Sequence, residues 1–134
     1  MKVIQPEEWE RPRGYSNGIL AEGEFLVLAG QIGWNEKQQL VSDQLSQQVR
    51  QALQNVVQIL KVANVEAEHL VRLTWYVTDL NEYRSQTKEI GKIYREVIGK
   101  HYPAMSLVQV AGLLEDGAKV EIEATAVRPR KRPS

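Results

Sequence analysis

The side chains of this sequence best suited to moving protons are carboxylates. Glu121 and Glu123 alternate with Val120, Ile122 and Ala124, so both share the polar face of a strand whose other face is apolar. By pattern alone, such carboxylates read as solvated. The two histidines, His69 and His101, lie on different elements with no carboxylate pattern nearby. They read as surface residues rather than metal ligands. Cysteine is absent, which removes disulfides, thiolate metal sites and cysteine nucleophiles together and suits a reducing cytosol. No Gly-x-Ser-x-Gly, P-loop or dinucleotide fingerprint occurs. Trp9, Trp34 and Trp75 could form a stacking set for a ligand, although Trp75 reads as a core residue of its strand.

Charge narrows the partners. The 17 basic and 17 acidic residues cancel, so no global field draws the chain toward nucleic acid or anionic lipid. The one basic cluster is the tail from Arg128 to Ser134, with no basic face interleaved with aromatics to accompany it. The start, MKVIQPEEWERPRG, has no apolar core of a secretory leader. The longest wholly apolar run, Phe25 to Ala29, is too short to cross a bilayer.

The elements that must hold any site follow from periodicity. The 134 residues fit one domain, with residues 1–12 as an irregular arm ordering near Gly14 and residues 129–134 as a basic tail. Gly18 to Ala21 and Phe25 to Ala29 flank Glu22-Gly23-Glu24 and read as a hairpin. Ser42 or Asp43 caps a helix to Asn64, with Leu45, Val49, Ala52, Leu53, Val56, Leu60 and Ala63 as its apolar stripe. In the strand Leu70 to Val77, the residues Val71, Leu73, Trp75 and Val77 share a face. Asp79 or Asn81 opens a second helix, with Leu80, Tyr83, Ile90, Tyr94 and Val97 inward, weakened at Gly91 and ended by Gly99. Strands near Ser106 to Val110 and Lys119 to Val127 flank a turn at Glu115-Asp116-Gly117. The order ββαβαββ predicts an α/β (α+β) domain, a mixed sheet with two helices on one face. The strand at Phe25 to Ala29 and the pair Leu107-Val108 are apolar on both faces. Two helices cover only one face, which predicts a homo-oligomer.

A series of short motifs now becomes informative: Arg13-Gly14-Tyr15-Ser16, Ala29-Gly30-Gln31-Ile32, Gln48 to Asn55, Val71-Arg72-Leu73-Thr74, Pro103-Ala104-Met105-Ser106 and Val120-Glu121-Ile122-Glu123-Ala124. In order and spacing, from about residue 12 to 128, the chain resembles the Rid (reactive intermediate deaminase, or YjgF) family. The resemblance implies a chorismate-mutase-like fold, a homotrimer, and ligand clefts between subunits. It also implies hydrolysis of enamine and imine acids without metal or cofactor. Tyr15 and Glu121 would be the catalytic groups, with Glu121 handling the water. Gly30 would let substrate approach the backbone. Met105, Ser106, Leu107 and Trp34 would line the ligand site.

Met105 departs from the family pattern, which has an arginine there to clamp the substrate carboxylate. A thioether cannot reproduce that bidentate geometry, and losing such a contact costs roughly 2 to 4 kcal/mol. Leu107 replaces a frequent cysteine, and the family's asparagine in the second helix has no clear match near Thr87 and Lys88. Arg13 or Arg72 are the candidates to restore the charge. Three expectations follow: a hydrolase of altered specificity, weak or inactive on 2-iminobutanoate; a non-catalytic trimer binding a metabolite or a partner; and, as the weakest, action on RNA through the basic tail.

Overall fold

The computed structural model describes residues 1–130. Its main body is a four-stranded mixed sheet in the order β3-β6-β4-β5. The strands are β3 (Glu24–Gln31), β4 (Leu70–Val77), β5 (Ala104–Gln109) and β6 (Val120–Arg128). β6 runs antiparallel to both of its neighbours, and β4 pairs with β5 in parallel. A parallel pair needs a crossover, which two helices supply: α2 (Leu80–Ser85) and α3 (Thr87–Val97).

The long helix α1 (Leu45–Val62) joins β3 to β4. Leu45, Val49, Ala52, Leu53, Val56 and Leu60 are buried along one stripe, as their spacing requires. Gln48 lies in that stripe, fully buried. Its amide Nε2 donates to the carbonyls of Ser42 (2.9 Å) and Gly117 (3.0 Å), and its Oε1 accepts from the Lys119 N–H (2.8 Å). One side chain thus ties α1 to the loop before β6.

Several expectations are corrected. The arm is not irregular throughout: β1 (Lys2–Ile4) pairs antiparallel with β2 (Gly18–Leu20) in a separate ribbon. β2 therefore forms no hairpin with β3, whose partner is β6. The connection at Gly23 has φ +149°, and a Cβ there would strike the Arg128 carbonyl. It is a glycine-dependent corner between ribbon and sheet, not a hairpin turn. The second helix is two helices. Asp79 opens α2 by accepting from the N–H groups of Asn81 and Glu82. The chain then breaks at Gln86, whose Oε1 accepts from the Ser46 N–H at 3.2 Å. Helix α1 starts after Gln44 with no side-chain cap, and Ser42 Oγ accepts from the Gln44 N–H instead. In β4 a bulge between Leu70 and Arg72 puts Leu70 rather than Val71 fully into the core.

The helices cover one face of the sheet. The other face is open, with Phe25 70% and Val27 73% exposed on the edge strand β3 and Val108 half-exposed on the opposite edge strand β5. Tyr76, Glu121 and Glu123 also stand on this face.

Candidate functional site

The residues singled out in the sequence separate into three places, because neighbours along a strand alternate across the sheet. Met105 is in register with Leu73, and Leu107 with Trp75, so both face the helices and pack against the core. Ser106 pairs with Thr74 on the open face.

Met105 lines a pocket of about 290 Å³ between β5, the α2–α3 pair and residues 13–14. The N-terminal segment is held there by β5: the Ser16 N–H donates to the Pro103 carbonyl at 3.0 Å, and Ser16 bridges Ala104 in parallel. Gly14, with φ +76°, turns the chain so that Arg13 reaches the pocket. Tyr15, between Gly14 and Ser16, is 41% exposed. Aromatic walls close the rest. Tyr94 and Tyr102 stack with centroids 5.3 Å apart, and Tyr83 and Trp75 complete the lining with Ile90. The Tyr94 hydroxyl donates to the His101 carbonyl at 2.6 Å. Burial pushes the phenols of Tyr94 and Tyr83 above the ordinary range, so both stay neutral.

Sequence reasoning missed Arg95, which also lines this pocket. A signal existed. Gly91 precedes it by one helical turn, and a Cβ on Gly91 would lie 3.4 Å from Arg95 Nη1. The small residue leaves room for the guanidinium to lie back along α3. Thr87, near the position where the family's asparagine had no clear match, lines the same pocket. Arg72 does not: it belongs to the open face, beside Thr74, Glu123 and Val27. Of the two arginines considered as replacements for the missing charge, only Arg13 is near Met105.

Glu121 lies on the open face opposite Met105. A bulge in β3 between Leu28 and Gln31 sets Gly30 against it, and a Cβ on Gly30 would overlap the Glu121 carboxyl group. The space left by the missing side chain is therefore filled by Glu121 of the same chain. Next to it, the Tyr76 hydroxyl donates to Glu123 Oε1 at 2.6 Å. That bond, reinforced by burial and by both glutamates, raises the Tyr76 phenol above its usual range.

Trp34 belongs to a third place, a groove of about 570 Å³ walled by the amides of Gln31, Gln51, Gln54 and Gln58. Asn55 fixes it by donating from Nδ2 to the carbonyls of Ile32 (3.2 Å) and Trp34 (2.9 Å). The histidines are half-buried structural groups rather than surface ones. His101 Nε2 lies 2.7 Å from the Leu70 carbonyl, and His69 Nδ1 accepts from the Glu66 N–H. Arg128, counted with the basic tail, ends β6, pairs with Glu24 at 3.0 Å and donates to the Ala63 carbonyl. The rest of that cluster beyond Arg130 lies outside the described residues.

Residues 8–128 match the family described as Endoribonuclease L-PSP. The chain is 32% identical over 115 residues to the 2-iminobutanoate/2-iminopropanoate deaminase of Homo sapiens, covering 85% of this chain and 80% of that protein. The chain belongs to the Rid/YjgF family. This Rid protein is also 34% identical over 129 residues to a RutC family protein of Pyrococcus horikoshii, covering 95% and 98% of the two chains. Its fold is similar to that of a Rid family protein of unknown function from Yersinia pestis. The TM-score is 0.83 at 32% identity, with coverage of 95% and 98%. The Rid fold thus accounts for the mixed sheet with its helices on one face.

Proposed function

We propose that this Rid protein hydrolyses the C–N bond of small imines as a homotrimer, with a preference changed by Met105. The trimer is supported by the open sheet face, where Phe25 and Val27 stand in solvent. Burying each such side chain between copies would contribute roughly 1.5 to 3 kcal/mol. Assembly also answers a geometric problem. In one chain Glu121 and the Met105 pocket lie on opposite faces of the sheet, so a site using both draws them from two copies.

In the reaction, a water oxygen bonds to the imine carbon while Glu121 takes the proton that water loses. Glu121 passes that proton to the nitrogen to give a carbinolamine. The carbinolamine hydroxyl then gives up its own proton, which is relayed to the nitrogen as the C–N bond breaks, so ammonia leaves and a carbonyl product remains. Tyr15 would hydrogen-bond the reacting centre, and Ser106 and Leu107 would line the cleft. Trp34, in its own groove, would act from a neighbouring subunit or not at all. Because Met105 brings no charge, short imino acids such as 2-iminobutanoate would be poor substrates.

A single observation carries the reading: Glu121 is a carboxylate seated over Gly30, available on the open face. The test is ammonia release from a panel of imines generated in place by an amino-acid oxidase. Turnover abolished by Glu121→Ala supports hydrolysis, and added activity on short imino acids in Met105→Arg supports the changed preference. The opposite-face geometry also favours a second reading, a binding trimer that does no chemistry. That reading would be supported by ligand binding with no turnover across the panel.

A further inference from the structure

The pocket around Met105 contains two features that the missing arginine does not explain. The first is cationic. Arg13 and Arg95 both line it, and neither forms an ion pair among the described residues. No aspartate or glutamate is among the residues that line it. The second is a buried donor. Trp75 is only 3% exposed, lines the pocket, and its indole Nε1 has no hydrogen-bond partner among the described residues. Buried N–H groups are nearly always paired, and an orphan donor calls for an explanation. An acceptor atom of a bound ligand would supply one.

We propose that this pocket binds an organic acid with an aromatic or bulky apolar body, its carboxylate held by Arg95 and Arg13 and a further acceptor atom met by the Trp75 indole. The anion grip has moved from strand β5 to helix α3 and the N-terminal segment. This frees position 105 to be apolar. Met105, Ile90 and the ring faces of Tyr83 and Tyr102 then pack against the ligand body. Methionine suits such a wall because its flexible thioether fits irregular and aromatic surfaces. A guanidinium at the mouth of an aromatic slot offers paired N–H donors to a carboxylate. At about 290 Å³ the space lies at the small end of ligand pockets, which fits a metabolite rather than a peptide. The proposal rests on the small-molecule reading above for its relevance to turnover, although binding can be measured without any reaction.

The probes are 3-phenylpropanoate, its neutral amide 3-phenylpropanamide, and butanoate, titrated calorimetrically into the full-length protein. The acid should bind about tenfold or more tighter than the amide, a difference near 1.4 kcal/mol, and similarly tighter than butanoate. Arg95→Gln should erase the preference for acid over amide, and Arg95→Lys should restore part of it. Both substitutions are at an exposed helix position, and circular dichroism would verify that they fold. The Trp75 indole N–H resonance should shift when the acid binds. The proposal is overturned if no probe binds, if amide or butanoate binds as tightly as the acid, or if Arg95→Gln and Arg13→Gln both leave the preference intact. Imine turnover measured in parallel separates the two claims. Acid binding as expected with no ammonia from any imine removes the hydrolase and leaves the pocket. Imine turnover with no binding of the acid, or with no loss of acid preference in either arginine variant, removes the pocket and leaves the hydrolase.

Discussion

Substituting Gly30 by alanine isolates what that glycine is for. Its backbone is not in the left-handed region, so the alanine itself is unstrained. The cost falls on Glu121: the new methyl would stand 2.6 Å from its Cδ and 2.7 Å from its Cγ, against ordinary carbon contacts of about 3.5 to 4 Å. The Glu121 side chain must therefore swing away by about 1 Å. It is a flexible side chain at a half-buried position, so the loss of stability should stay near the low end of overpacking costs, about 1 kcal/mol. The loss of turnover should be far larger. If Glu121 is the general base proposed above, displacing it forfeits roughly 10²- to 10⁴-fold, as would Glu121→Ala. If Gly30 acts only by making room for that carboxylate, the double variant should be no slower than Glu121→Ala alone. The assay is a double-mutant cycle on the best imine of the panel, with urea denaturation of each variant. Additive losses would refute the reasoning. They would mean that substrate itself needs the space at Gly30, as the resemblance to the family implied.

Gln48→Leu keeps the volume of the stripe in α1 but strands the carbonyls of Ser42 and Gly117 and the Lys119 N–H. At about 1 to 3 kcal/mol for each unsatisfied group, with water recovering part, urea denaturation should show a loss of about 3 kcal/mol or more. If copies associate through the open face as proposed, Val27→Lys should leave the monomer fold intact yet lower the mass seen in sedimentation; an unchanged mass would count against a contact through Val27. Tyr76, Tyr83 and Tyr94 all have phenols raised by the fold. Their contribution to stability is thus present below the unfolded phenol pKa of about 10 and is lost as pH rises through the folded values. Ultraviolet titration should find these three ionising late, and Tyr76→Phe should remove one late component.

Much of this architecture was readable from the chain, for reasons that differ by element. The stripe of α1 and the alternation Val120, Ile122, Ala124, Ala126 in β6 repeat over enough residues to determine period and face. The doubly apolar β3 was read as needing a second partner on its outer side, and its outer residues Phe25 and Val27 do stand exposed. What escaped were features decided at long range. Alternation puts Val71 on the face of Leu73, Trp75 and Val77, but the bulge against Ala126 and Thr125 sends the equally apolar Leu70 inward instead. The break at Gln86 is fastened by Ser46, 40 residues earlier. The three residues of β1 are too few to show a period, and they form a strand because β2 returns beside them. Motif spacing placed Glu121, Gly30 and Met105 on named strands. It did not reveal that they divide between two faces, nor that Arg95 stands over Gly91.

The bond from Ser16 to Pro103 bears on how the pocket comes into being on a growing chain. Arg13 is made before the strand that fastens its segment, which follows only some ninety residues later. Until then the rim of the pocket has nothing to lie against. Binding of the proposed acid would thus have to wait until β5 has been made and has closed on the N-terminal segment.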